Sequence, residues 1–202
     1  MEKHIYIMLS HTNTKIGKMI RLFTNYPYNH ISISTNSSLQ PLYSFARYHY
    51  NAAFIGGFVE ESPLRYLFYE KDTPIRIYDI TVTEKQFQQL ESILNIYIQN
   101  QSKYLYDNFY FLRNDKKRSL YHHTCLSFAV SILKELDILT ADTQINTIKQ
   151  FAENLSNFSF SEMKLDTQAK TLYTWGNDKF YQESPSKLIF MNTINHFRKL
   201  LS

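Results

Sequence analysis

Cysteine, glycine and proline are all scarce in this chain. Its 202 residues include one cysteine, four glycines and five prolines. A single cysteine cannot form an internal disulfide, and it cannot build a cysteine-based zinc or iron–sulfur site by itself, so these frameworks are excluded. The shortage of glycine and proline excludes collagen-like and low-complexity chains. The one cysteine, Cys125, is therefore either an inert, small apolar residue or a reactive thiol.

Long apolar runs and a strong charge imbalance are also missing. No apolar run approaches the ~20 residues that span a bilayer. The apolar stretch near the N-terminus is too short for a secretory signal and lacks a small-residue cleavage site. We therefore expect a cytoplasmic protein with no membrane span. The net charge is only +4, and the one dense basic run is Lys116–Arg118. Such a run is typical of a solvated loop, because nucleic-acid binders usually show a larger basic face, so we expect no nucleic-acid partner.

The remaining composition is that of an ordinary globular domain. Apolar residues make up 44% and charged residues 20% of the chain, and the length fits a single domain over 1–202. Apolar periodicity predicts an α+β fold with a small antiparallel sheet. Strands are predicted over 4–9, 30–35, 42–47 and 74–82, with a further short strand at 58–61; helices are predicted over 15–24, 84–99 and 125–137. Weaker helical patterns after 137 predict a helical or irregular extension over 138–202.

The cysteine falls at the first turn of a predicted helix. Thr124 is a good N-cap, and Cys125 follows it directly. Free N–H groups and the helix dipole at this position stabilise negative charge, which favours a thiolate over a thiol. The same N–H groups could stabilise an oxyanion on a substrate carbonyl. A free cysteine is also commonly a small core residue, so the spacing alone leaves both interpretations open.

A nucleophilic cysteine needs a base, and His30 is the best candidate. Alternation along its strand places it opposite Ile31 and Ile33, so it faces solvent or a cleft. His122 and His123 lie nearer to the cysteine in sequence, but they precede the helix, and their rings need not point at the thiol. No second ligand pair at zinc-like spacing accompanies them, so we expect no metal and no cofactor.

Two motifs resemble those of a known family. Tyr28–Ile33 resembles the histidine strand of the circularly permuted NlpC-like peptidases of the papain fold (the YiiX/YaeF-like group). Thr124–Val130 resembles their nucleophile helix, in which a small polar residue and an aromatic residue follow the cysteine. In this group the histidine strand precedes the cysteine helix, as His30 precedes Cys125 here. The resemblance covers residues 1–137 and implies a papain-like fold whose small antiparallel sheet packs against the cysteine-bearing helix.

The resemblance also implies roles for individual residues. His30 would take the proton from Cys125, and a third polar residue, often Glu in the family, would orient the imidazole. The matching position here is Ser44, which can accept a hydrogen bond but carries no charge. Tyr43 or Glu60 could serve instead, and Ser44 would then be a plain strand residue.

Tyr28 and Thr124 complete the set of candidate site residues. Tyr28 would line the cleft or donate to an oxyanion, with an aromatic packing role as the alternative. Thr124 is expected to cap the helix beside the thiol.

The implied activity is acyl transfer through a thiol. The resemblance implies a cysteine hydrolase, an amidase or peptidase, that acts on a small-molecule or peptide-like acyl substrate without a cofactor. Two alternatives stay open. One is a lipid acyltransferase or thioesterase of the related lecithin:retinol acyltransferase type. The other is a non-catalytic module that binds a small ligand on the same fold.

Overall fold

The computed structural model describes residues 2–68, 70–107, 121–185, 189–191, 193–195 and 198. The basic run Lys116–Arg118 lies outside the described residues. In the described part of the chain, no helix is long and apolar enough to cross a membrane.

An antiparallel six-stranded sheet forms the centre of the fold, with helices packed on it. Its strands lie side by side in the order β4-β3-β2-β1-β5-β8. They are β1 (Lys3–Ser10), β2 (His30–Ser34), β3 (Leu42–Arg47), β4 (Gly56–Glu61), β5 (Asp72–Val82) and β8 (Phe160–Asp166). The five strands predicted within residues 4–82 are confirmed, and the mixed α+β class is confirmed with them.

The helices begin at the polar caps that the sequence indicates. They are α1 (Lys15–Thr24), α2 (Glu84–Gln99), α3 (Cys125–Glu135) and α4 (Ile148–Asn154). Thr83 forms a capping box with Gln86, and Thr124 forms one with Ser127, so both helix starts are locked by reciprocal hydrogen bonds. The three predicted helices are confirmed within two residues at their ends.

The two faces of the sheet bury different cores. The larger core joins the sheet to α2, α3 and α4, and it includes Ile7, Ile33, Phe45, Phe58, Leu90, Phe128 and Phe151. The smaller core lies on the opposite face under a 3-10 helix at Pro63–Leu67, and it includes Met8, Leu42, Tyr66 and Ile75. Burial on both faces explains why the strands carry apolar residues at successive positions instead of a clean alternation.

A short parallel strand pair leads the chain into α3. β6 (Leu105–Tyr106) pairs with β7 (His122–His123), and Thr124 and Cys125 follow immediately. His123 packs its ring against Phe45 at a centroid distance of 4.9 Å. The first turn of α3 is thereby held against the middle of the sheet.

The chain after residue 137 corrects the expectation of a helical or irregular extension. α4 is helical, but β8 joins the sheet as an edge strand beside β5. Five of the seven β8 residues are exposed, so the strand lacks the buried alternation that would have indicated it. The chain after residue 137 therefore contributes one strand, Phe160–Asp166, to the central sheet.

Gly17 permits a close approach between α1 and the loop before β2. A Cβ atom at Gly17 would clash with the Asn29 side chain and lie 2.6 Å from the Thr12 carbonyl oxygen. Asn29 in turn accepts from the Thr12 N–H and donates to the Thr12 carbonyl oxygen at 3.0 Å, immediately before His30. The position of His30 thus depends on a residue without a side chain.

Gly17→Ala should destabilise the protein, although glycine to alanine in a helix normally stabilises by about 0.5–1 kcal/mol. We expect a loss of about 1–3 kcal/mol, because the added methyl group overpacks the contact with Asn29. Urea unfolding followed by circular dichroism measures the change. Lys18→Ala, at the exposed neighbouring position, is the control, and a gain in stability for Gly17→Ala would contradict the close approach.

Candidate active site

His30 opens β2 and lies almost fully buried. Only 7% of the residue is exposed. Its Nε2 atom lies 3.0 Å and 3.1 Å from the two carboxylate oxygens of Glu61 at the end of β4. The ring is therefore fixed by a carboxylate that the sequence did not identify as its partner.

Glu61 is the most heavily hydrogen-bonded side chain of the site. Its side chain has no exposed surface. The Ser32 and Tyr66 hydroxyls each donate to Oε2 at 2.6 Å, and the Arg65 guanidinium donates to Oε1 at 2.9 Å. With His30, four donors surround one carboxylate, which is what a buried charge requires.

The Glu61 carboxylate reaches His30 although β3 separates their strands. Between β2 and β3, Ile33 lies opposite Tyr43. Next to this pair, the Ser44 hydroxyl donates to the Ile31 carbonyl oxygen at 2.7 Å. The Ser44 side chain thus binds the backbone of β2, while the Glu61 carboxylate contacts the His30 ring.

Cys125 lies beside the same ring. It is the first residue of α3 and is 7% exposed. It is close enough to His30 to raise the pKa of the imidazole. The structure therefore brings Cys125, His30 and Glu61 together at one site.

The pKa values of the pair move apart. Burial alone would lower the pKa of His30, but the negative charges of Glu61 and Cys125 outweigh it and raise the pKa to about 10. Burial would raise the pKa of Glu61, but His30 and Arg65 lower it to about 2. At neutral pH, His30 is therefore an imidazolium and Glu61 a carboxylate.

These shifts make stability depend on pH in both directions. The pKa of His30 is raised above 6.5, so its contribution is full below about pH 6.5 and is lost as the pH rises through about 10. The pKa of Glu61 is lowered below 4.5, so its contribution is present above about pH 4.5 and is lost as the pH falls through about 2. Both contributions are complete together only between about pH 4.5 and 6.5.

Tyr106 is a further polar group that interacts electrostatically with Cys125, and the sequence did not single it out. It sits on β6, opposite His123 in the register that leads to the cysteine. Burial first, and then the negative charges of Cys125, Glu61 and Asp107, raise the pKa of its phenol. The phenol therefore keeps its proton and can donate a hydrogen bond near the sulfur.

The structure corrects the expectation that Ser44 orients His30. The Ser44 hydroxyl is turned to the backbone of β2, and the carboxylate at the ring belongs to Glu61. Glu60 does not serve instead, because adjacent strand residues point to opposite faces. It pairs with Tyr43 and accepts from the Asn177 side chain at 3.1 Å.

Of the three other candidates, two contact residues away from His30 and one caps the cysteine helix. Tyr43 stacks on Phe58 at a centroid distance of 6.0 Å, on the sheet face opposite to His30. The Tyr28 hydroxyl donates to Glu162 on β8 at 3.1 Å, so Tyr28 binds the far edge of the sheet. Thr124 caps α3 as predicted and accepts from the Ser127 N–H at 3.0 Å.

Alternation could have found Glu61, but it could not rank it above Glu60. The two acids are adjacent in a strand, so one of them faces each side of the sheet. Which side holds the imidazole depends on strand order, and the sequence does not show that order. Among the residues that the structure describes, no group of three or more His, Cys, Asp or Glu is arranged to hold a metal ion.

Comparisons with family models, with curated proteins and with solved structures found no match to this chain. The interpretation of the site therefore depends on its own geometry.

Ser44→Ala should lower stability without changing the reactivity of the thiol. The variant leaves the Ile31 carbonyl oxygen without its donor, at a cost of about 1–3 kcal/mol. Urea unfolding measures the loss, and iodoacetamide labelling of Cys125 measures the reactivity. A large fall in labelling rate in a folded Ser44→Ala protein would restore the orienting role that the geometry assigns to Glu61.

Proposed function

We propose that this protein is a cysteine hydrolase that acts by acyl transfer through Cys125 and His30. One observation carries the proposal: the buried Glu61 carboxylate pairs with the His30 ring close to Cys125, the first residue of a helix. Each part has a chemical use. The cation and the helix dipole favour the thiolate, and the carboxylate keeps the ring in place.

The proposed reaction divides into two acyl transfers. The Cys125 sulfur attacks the carbonyl carbon of an amide, ester or thioester, and the carbonyl electrons move to oxygen. His30 gives its proton to the leaving group as the carbon–nitrogen, carbon–oxygen or carbon–sulfur bond breaks. Water then loses a proton to His30 and attacks the acyl-enzyme, which releases the acid and the thiolate.

The oxyanion has two donors in this proposal. The Cys125 N–H lies at the start of α3, where backbone N–H groups have no intrahelical partner. The Tyr106 phenol, whose raised pKa keeps it protonated and which interacts electrostatically with Cys125, is the second. A backbone donor together with a side-chain donor is sufficient to stabilise a tetrahedral intermediate.

The chain order supports the permuted papain-like fold that the resemblance implies. The histidine strand β2 comes before the cysteine helix α3, and α3 packs on the antiparallel sheet. Glu61 supplies the acid that the family often has. An uncharged third residue such as Ser44 would favour the non-catalytic binding module, but the residue that contacts the His30 ring is the carboxylate of Glu61.

Alkylation at low pH tests the activated thiol. Iodoacetamide at pH ~6, below the pKa of about 8.5 of a free cysteine, should label the wild-type protein rapidly. His30→Ala and Glu61→Gln should each slow the labelling by about tenfold or more, because His30→Ala removes the cation that favours the thiolate and Glu61→Gln lowers the proton affinity of His30. Mass spectrometry of the tryptic peptide measures the rate, and Cys125→Ser gives the background.

His4→Ala is the matched control. His4 also pairs with a carboxylate, its Nδ1 lying 2.6 Å from Asp79 Oδ1, but it lies on the exposed part of β1. It should leave the labelling unchanged. If Cys125 reacts no faster than free cysteine and His30→Ala has no effect, the hydrolase proposal fails. A panel of p-nitrophenyl esters of short and long chains and of peptide p-nitroanilides then separates lipid acyl substrates from peptide-like ones.

Tyr106→Phe tests the second oxyanion donor. It removes one hydroxyl and keeps the ring, so we expect kcat for p-nitrophenyl ester hydrolysis to fall about a hundredfold. The alkylation rate should change little, because alkylation forms no oxyanion. An unchanged kcat would exclude Tyr106 from this role.

A further inference from the structure

A C-terminal segment over 174–184 contacts the chain on both sides of β4, next to the proposed active site. We name this segment the strap. The Ser62 hydroxyl donates to the Thr174 carbonyl oxygen at 2.6 Å, and the Tyr50 N–H donates to the Phe180 carbonyl oxygen at 2.9 Å. The Ser184 N–H donates to the Asn51 side chain at 3.0 Å. The strap thus crosses the chain segments on either side of β4, the strand that carries the acid.

Asp178, in the middle of the strap, grips Arg65 with both carboxylate oxygens. Arg65 Nε donates to Oδ2 at 2.8 Å and Nη2 donates to Oδ1 at 2.6 Å. The remaining guanidinium nitrogen, Nη1, donates to Glu61. The Arg65 guanidinium also lies over the Phe180 ring, whose centroid is 4.8 Å from the guanidinium carbon. One buried cation therefore bridges the acid of the site and the acid of the strap.

The charges of this cluster do not cancel without His30. Glu61 and Asp178 carry two negative charges and Arg65 carries one positive charge, and all three are at least 92% buried. One negative charge remains among these three groups, and the His30 imidazole, 3.0 Å from Glu61, is the further basic group in direct contact with it, whereas Arg47 lies over the Phe180 ring at 5.1 Å. The strap therefore helps to keep a proton on His30.

We infer that Arg65 and Asp178 are positioning residues that act through Glu61 to set the proton affinity of His30. Asp178 adds a negative charge that favours the imidazolium, and Arg65 aligns Glu61 while it partly offsets that charge. Neither residue touches the reacting atoms. The inference rests on the proposed function for the chemical use of the His30 proton, but the pKa of His30 can be measured whether or not the protein is a hydrolase.

Other charged or titratable groups also face the pair. They are Cys125 from α3, Tyr66 from the 3-10 helix, Tyr106 and Asp107 from β6 and its end, and Arg47 from β3. Cys125 is alanine throughout the test below and the other groups are unchanged, so only the charge of Arg65 or Asp178 differs between the compared variants.

The test is an NMR titration of the His30 ring in the Cys125→Ala protein, assigned by its loss in His30→Ala. Asp178→Asn removes a negative charge and should lower the pKa of His30 by roughly one unit. Arg65→Gln removes a positive charge and should raise it by a similar amount. Arg65→Lys keeps the charge and should leave the pKa within a few tenths of a unit. Asp79→Asn, on an exposed carboxylate paired with His4, is the matched control and should have no effect.

Opposite signs distinguish charge from scaffolding. If the strap only holds the fold together, Asp178→Asn and Arg65→Gln both loosen Glu61, and the pKa of His30 falls in both, which overturns the inference. If Asp178→Asn does not fold, the contrast between Arg65→Gln and Arg65→Lys decides the same point. Since the titration uses a protein without the thiol, it can succeed even where alkylation shows that Cys125 is not activated, and the two proposals can fail separately.

Discussion

A carboxylate with no exposed side-chain surface constrains everything around it. Glu61 is stable in its position only because a ring, a guanidinium and two hydroxyls donate to it. These donors come from β2 and from the 3-10 helix, which places both elements around the end of β4. Loss of one donor would leave a buried charge incompletely paired, which is typically among the more destabilising changes. The orientation of His30, and with it the geometry at Cys125, follows from this requirement.

Local physics made much of the fold predictable. The capping boxes at Thr83 and Thr124 involve residues three apart, and apolar spacing depends only on neighbouring positions, so the starts of α2 and α3 could be inferred from the sequence. β8 could not. An edge strand with one solvent-facing side needs little apolar alternation, and its pairing with β5 joins residues about ninety positions apart. Hydrogen bonds between residues so far apart in the chain produce no recognisable pattern in the sequence of either strand.

The residues of the candidate site also fall into those that the sequence could indicate and those that it could not. His30 and Cys125 could be singled out because each sits at a recognisable end of an element, a strand start and a helix start. Glu61 was missed because its role depends on how three strands lie side by side. The expectation for Ser44 failed for a related reason: it assumed that the strand next to the histidine supplies the acid, whereas the acid comes from the strand beyond it. Asp178 lies in a turn, where local spacing carries no information about a distant arginine.

Stability alone does not account for this cluster. Well-packed apolar residues of similar volume often replace buried ion pairs with no loss, or with a gain of about 1–4 kcal/mol, because they avoid the desolvation of the charges. Four charged groups in one interior region, His30, Glu61, Arg65 and Asp178, are therefore a costly way to fill space. Apolar side chains could not keep a proton on an imidazole near neutral pH beside a thiol. A proton held there would have a direct use in the proposed acyl transfer, since it would stabilise the thiolate before attack and protonate the leaving group afterwards. The energetic cost of the cluster is thus the strongest physical argument that the His30 proton takes part in chemistry.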